Sequence, residues 1–267
     1  MSIKWTIFLV FASVIITGAY FVFMVEDELA LYARDCNIAG ISLRGDLMTY
    51  IPPDYYSESG EQIYDAASSE DIVSRIREAD KNENIKAVLL EVDSYGGYPV
   101  AAEEVMRALL DSSKPTVALI RAGGLSAAYL SSTGADWIIA SRNSDVGSIG
   151  VTSSYVENVE KNKKDGLTYQ QLNVGKFKDA GDPNKQLSGE EKELILRDLA
   201  LIYESFVESV AKNRHLPVDT IRPLADGSSM LGTMALKNKL IDQLGGEKEA
   251  LAYLENIIQE EPSICWD

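Results

Sequence analysis

The chain has 267 residues, enough for one large domain or two small ones with a buried core. Its 41 Asp and Glu against 25 Lys and Arg give a formal charge of -16, which opposes binding to nucleic acid or any other polyanion. Two cysteines, Cys36 and Cys265, exclude a disulfide scaffold and leave a single bridge open.

The first element in chain order is apolar. Trp5 to Val25 carries no charge over 21 residues, about 31 Å as a helix at roughly 1.5 Å per residue, which is enough to cross hydrocarbon. It predicts a transmembrane anchor (5–25) after a short N-terminus (1–4) and before a stem (26–35). A cleaved signal peptide is the competing reading, but the run exceeds the usual apolar region of such a leader and no small-x-small site follows it. Lys4 precedes the span, and Glu26, Asp27 and Glu28 follow it. The positive-inside rule then places the body (36–267) on the extracytoplasmic side of a single-pass cell (inner) membrane protein.

"NIAGISLRG" predicts a first strand, and "IPPDYYSESGEQIYDAASS" a surface connection rich in Pro, Ser and Tyr. Asp71 to Lys81 predicts a helix with Ile72, Val73, Ile76 and Ala79 on one side, feeding the buried strand "KAVLLEVDS". A "YGG" turn follows, then a helix that opens at Pro99 and carries Val100, Val105, Leu109 and Leu110, then a second buried strand, "PTVALIR". Ser126 to Gly134 predicts a short helix and "DWIIA" another strand. This alternation implies an α/β fold with mostly parallel strands, right-handed crossovers and helices on both faces. "YQQLNV" has the apolar-polar pattern of a strand before the glycine turn of "NVGKFKDAGDP". Ser188 and Glu191 have capping-box spacing at the start of a long helix, through which Ile195, Leu199, Ile202, Phe206 and Val210 recur at helical intervals. A last helix covers Glu247 to Ile258.

In a parallel α/β sheet, ligands gather at the carboxyl ends of the strands, where this chain places "DSYGG" and "AGGLSAA". Glycine lets backbone N–H groups approach a ligand, and a helix beginning at Ser126 aims free N–H donors at the same edge, which suits a developing oxyanion. Two readings of Ser126 stand side by side: an ordinary helix N-cap, or a nucleophile. A nucleophile needs a base. The lone histidine, His215, lies in a charged, Pro-punctuated segment, so lysine is the alternative. A lysine base works only if its amine is desolvated or set beside other cations. Lys176 and Lys178, after the glycine of "NVGKFKDAGDP", are the candidates, with solvated surface lysines as the plain alternative. Cys and His are scattered, and neither phosphate-binding nor dinucleotide-binding glycine motifs occur, so no metal and no cofactor is expected.

Four segments together, "LLEVDSYGGYPVAAEEV", "GGLSAAYLSSTGADWIIASRNSDVGSIGV", "NVGKFKDAGDP" and "ADGSSMLGTMALKNKLIDQLGG", resemble the signal peptide peptidases of the SppA type, serine peptidases of family S49. The resemblance implies a ClpP/crotonase-like mostly parallel sheet with flanking helices. It places the nucleophile at Ser126, the general-base lysine at Lys178, 52 positions later, and the backbone oxyanion donors at Gly97 and Ala127. It further implies a homo-oligomer whose dyad is shared between protomers, and peptide substrates of the apolar, signal-peptide-remnant kind. Tyr95 stands where the family usually has proline, Leu125 where a small residue is usual, and Ala127-Ala128 where glycine is frequent. A non-catalytic membrane scaffold that binds peptides on the same fold is the alternative. A crotonase-like acyl-CoA enzyme fits poorly, because the acidic body repels an anionic thioester.

Overall fold

A computed structural model describes residues 36–56, 59, 62 and 64–266. The expected anchor, the residues ahead of it and the stem lie outside the described residues. No helix among the described residues is long and apolar enough to cross a membrane.

β1 (Ile38–Met48), β2 (Ala66–Ser68), β3 (Ala87–Gly97), β4 (Thr116–Leu125) and β5 (Trp137–Ala140) build the parallel sheet that the alternating pattern predicts. With β8 (Gln243–Leu244) the order is β2-β1-β3-β4-β5-β8. Between these strands run the helices α1 (Ser69–Lys81), α2 (Pro99–Leu110) and α3 (Ala127–Ser132). β3 is buried on both faces, which is why its sequence reads as an apolar run rather than an alternation. Val88, Leu90 and Val92 meet Ile72 and Ile76 of α1 and the small residues Ala101 and Ala102 of α2, while Leu89 packs with Val117, Leu119 and the C-terminal helix on the other face. Each large apolar side chain fully buried this way is worth about 1.5–3 kcal/mol.

The face beneath the C-terminal helix turns polar toward the strand ends. Glu91 is only 4% exposed, and accepts from Arg44 Nη2 at 2.6 Å and Arg121 Nη1 at 2.5 Å. Burial works to raise this carboxyl, but the two guanidinium hydrogen bonds outweigh it and hold the group below the usual carboxylate range.

Three features depart from the sequence reading. "YGG" is not a turn: β3 runs on through Gly97, pairing Gly96 with Asp46 and Gly97 with Leu47 after a register shift. In α2 the buried stripe is Ala101, Ala102, Val105, Met106 and Leu109, so Val100 and Leu110 face outward. "YQQLNV" forms no strand, and among the described residues no strand pairs with it.

Short strands complete the sheet. β6 (Asp145–Gly147) pairs with the last residues of β4, beyond the stretch that β5 occupies, and β7 (Ser229–Leu231) pairs antiparallel with β6. After α4 (Val159–Lys164) come α5 (Gly189–Asn213), α6 (Val218–Ile221), α7 (Gly232–Lys237) and α8 (Glu247–Ile258), whose Tyr253 stacks on Trp137 at 4.8 Å. The capping box at Ser188 and Glu191 forms as its spacing predicts.

The C-terminus returns as β9 (Ile264–Trp266) on the edge of β1, and Cys36 and Cys265 are joined. Asn37 reinforces the junction: its side-chain oxygen accepts from the Ser263 N–H at 2.8 Å, and its amide donates to Glu261 O at 3.0 Å. The bridge closes 229 residues of sequence separation. Cys36→Ser with Cys265→Ser, or reduction of the native protein, should therefore cost about 2–4 kcal/mol in urea denaturation. An unchanged midpoint would mean that strand pairing and Asn37 suffice to hold β9.

Candidate active site

β3 and β4 end side by side in glycine-rich tails, and the chain turns sharply from β4 into α3 at Ser126. Ser126 adopts φ 50°, ψ -123°, a conformation outside the ordinary helical and extended basins. Its N–H donates to Gly147 O of β6 at 2.7 Å, and its carbonyl accepts from Leu130 N–H at 2.9 Å. The side chain makes no capping hydrogen bond. The N-cap reading of Ser126 thus accounts for its position but not for its hydroxyl.

Gly96 and Gly97 are required by the crowding around this corner. A Cβ on Gly96 would lie 2.9 Å from Ser126 Cβ, and one on Gly97 would lie 2.0 Å from Leu47 O. Both have positive φ, 127° and 157°. Backbone can therefore approach the serine where no side chain could.

Ser126, Gly97 and Ala127 line one cleft of about 380 Å³. Leu130, Val151 and the α5 residues Ile202 and Phe206 give the cleft an apolar part, beside the hydroxyls of Thr152 and Ser205, with Tyr95 and Glu103 also at its surface. The periodicity of the long helix marked Ile202 and Phe206 as one face without tying them to the serine. Ser148 was not singled out at all. It lines the cleft at φ 49° and donates its hydroxyl to Gly227 O at 3.0 Å. Its only sequence signal is a serine between glycines in "DVGSIG".

The candidate bases stand apart. His215 is exposed and absent from the cleft lining. Lys178 lies on an exposed turn whose N–H bonds Gly175 O at 3.1 Å, and it does not line the cleft of its own chain. Lys176 Nζ is engaged with Glu190 at 2.6 Å and lies 5.2 Å over the Phe177 ring.

The turn carrying Lys178 is nevertheless fixed at its base. Asp179 Oδ1 accepts from Gln171 Nε2 at 2.9 Å, Asn173 Nδ2 at 3.2 Å and Lys185 Nζ at 3.2 Å, while its Oδ2 is buried without a hydrogen-bond partner. Lys185 also bonds Glu191, which in turn accepts from the N–H and hydroxyl of Ser188, both at 2.9 Å. The Lys185 hydrogen bond, then those from Ser188, bring the Glu191 carboxyl down to about 2. The lysine turn is thereby stapled to α5, the helix that carries Ile202 and Phe206 to the cleft.

The rest of this arm is solvent-facing and apolar. Val156, Leu167, Leu172 and Val174 are exposed, the last two at 96% and 98%, and Leu196 and Leu201 extend the exposed surface along α5. Exposure this complete at Leu172 and Val174 leaves their whole apolar side chains in water.

A parallel α/β sheet with an uncapped, strained serine at a strand-to-helix corner, beside glycine-built backbone, makes Ser126 the candidate nucleophile of a serine-hydrolase type of site. Residues 108–259 match the profile of peptidase family S49, and the chain belongs to that family. It is 35% identical over 187 residues to a candidate protease of Methanocaldococcus jannaschii, covering 69% of this chain and 60% of that protein. It is 30% identical over 189 residues to a candidate signal peptide peptidase SppA of Enterococcus faecium, covering 70% and 55%, and 28% identical over 243 residues to Protease 4 of Haemophilus influenzae, covering 88% and 37%. The chain thus spans little more than half the length of the first two relatives. Among solved structures, a ClpP1 variant of Listeria monocytogenes superposes with a TM-score of 0.51 at 10% identity, over 79% of this chain and 92% of that one, which establishes a ClpP-like fold.

Two outcomes follow from the local geometry. Gly97→Ala should cost about 1–3 kcal/mol, since its Cβ meets Leu47 O and the backbone must shift; equilibrium denaturation measures this. Glu191 titrates lower in the fold than its ordinary 4.5. Its stabilisation is therefore complete above about pH 4.5 and lost as pH falls toward about 2. Across that window the melting temperature of Glu191→Gln should fall less than that of the wild type. Parallel curves would show that Glu191 does not anchor the arm.

Proposed function

We propose that this protein is a membrane-anchored serine endopeptidase that works through a Ser126/Lys178 dyad completed between protomers. The observation that carries the reading is Ser126 itself: its hydroxyl is free of capping, its backbone is held in a strained conformation, and it shares a cleft with Gly97 and Ala127. The Lys178 amine takes the proton from Ser126 Oγ as that oxygen attacks a peptide carbonyl. The N–H groups of Gly97 and Ala127 receive the oxyanion. The leaving amine takes that proton from Lys178; the amine of Lys178 then takes a proton from a water that attacks the acyl-enzyme, and returns it to Ser126 Oγ as the acid product leaves.

The apolar arm of one protomer supplies Lys178 to the cleft of a neighbour. Burial at that boundary favours the uncharged amine over the ammonium. The apolar part of the cleft, Leu130, Val151, Ile202 and Phe206, favours apolar peptides, of which signal-peptide remnants left in the membrane are the class we assign. The joined cysteines support placement outside the cytoplasm, where disulfides persist. The uncharged run 5–25 supports the anchor.

Separation of Lys178 from the cleft within one chain also favours the second reading, a peptide-binding scaffold without catalysis. A serine-directed phosphonate discriminates the two: the enzyme gains its mass on Ser126, and the scaffold does not. In the full chain, Ser126→Ala and Lys178→Ala should each lower turnover of an apolar peptide amide by about 10³-fold or more with unchanged circular dichroism. Retained turnover in either variant rejects the dyad.

A further inference from the structure

Among the described residues that line the cleft, a single one carries a formal charge: Glu103. It follows Pro99 by four positions in α2, so the two occupy one face of that helix, and both line the cleft. Glu103 accepts from Arg107 Nη2 at 3.2 Å through Oε2, and Arg107 is itself well exposed and not part of the lining. An exposed i,i+4 pair of this kind contributes little to a helix, so fold stability does not explain a carboxylate beside otherwise neutral walls. Tyr95, the residue that departs from the family pattern, lines the same cleft at 71% exposure. Its ring offers an aromatic face to a cation.

We infer that Glu103, assisted by Tyr95, makes the cleft selective for peptides in which a lysine or arginine accompanies the apolar residues. The inference rests on the peptide-binding cleft proposed above and names the substrate class it takes. The charge of the whole chain, -16, acts in the same direction by drawing cationic peptides toward the site and repelling acidic ones. Arg107 opposes the effect, because it competes with the substrate cation for the same carboxylate.

The test compares two apolar peptides that differ only by lysine against glutamine at one position, using the full chain in detergent. Binding is measured by fluorescence anisotropy on Ser126→Ala, and kcat/KM on the protein with Ser126 intact. The lysine peptide should be favoured by about fivefold in both measurements, with the preference shrinking as salt rises. Glu103→Gln should reduce the preference to less than about twofold, the remainder being the share the net charge supplies, and Arg107→Ala, by freeing the carboxylate, should increase it. A wild-type ratio near one, or an undiminished ratio in Glu103→Gln, overturns the inference. Selective binding without turnover would instead reject the peptidase reading while leaving this one standing.

Discussion

The structure is organised around the backbone of Ser126. A non-glycine residue at φ 50°, ψ -123° costs on the order of 1–3 kcal/mol, and its surroundings supply what holds it there. Its N–H is claimed by Gly147 O of β6, a strand only three residues long that exists by pairing with the end of β4. Its carbonyl starts α3, every residue of which is buried. The two glycines of β3 clear the space beside it, because any side chain on either would collide with Ser126 or with β1. The sheet order, the split of one β4 edge between β5 and β6, and the register shift between β1 and β3 all converge on this corner.

The long buried elements were legible because burial on both faces leaves a chemical imprint on the chain. β3 and β4 read as apolar runs, α8 as a helix with the observed limits, and the Ser188–Glu191 spacing as the box that forms. What escaped was whatever depends on a distant partner. β6, β7 and β9 have three residues each, too short for a period, and they form on β4, β6 and β1 respectively. "YGG" carries turn residues, yet in place the glycines continue the strand, since a Cβ on Gly97 would meet β1 and one on Gly96 would meet Ser126. The Cys36–Cys265 link was left open for the same reason: nothing local brings together two residues 229 positions apart.

The site was legible to the same degree. Ser126, Gly97 and Ala127 fall in one cleft because the local motifs lie at the carboxyl ends of adjacent strands, which topology alone brings together. Glu103 and Ser148 escaped because their roles in the lining come from packing between elements. Lys178 is the instructive case. Its segment has the apolar alternation of a strand, but among the described residues no strand pairs with it. Helix α5 tells the same story along its length: Phe206, Val207 and Val210 are buried in the core, whereas Leu196 and Leu201 nearer its start face solvent.

A catalytic serine and its base impose opposite demands on a chain. In the proposed dyad the serine needs an immobile backbone, which the sheet corner provides; the lysine needs loss of solvent, which a surface arm cannot provide alone. The ionic chain from Asp179 through Lys185 to Glu191 resolves part of this conflict. It orders the turn around Lys178 while leaving that side chain exposed, so the entropy of ordering the turn is already met before any partner arrives. What a partner adds, in the proposed scheme, is desolvation. Assembly and activation would then be one event, because the contacts that cover Leu172 and Val174 are the contacts that would exclude water from the amine between them and the neighbouring cleft.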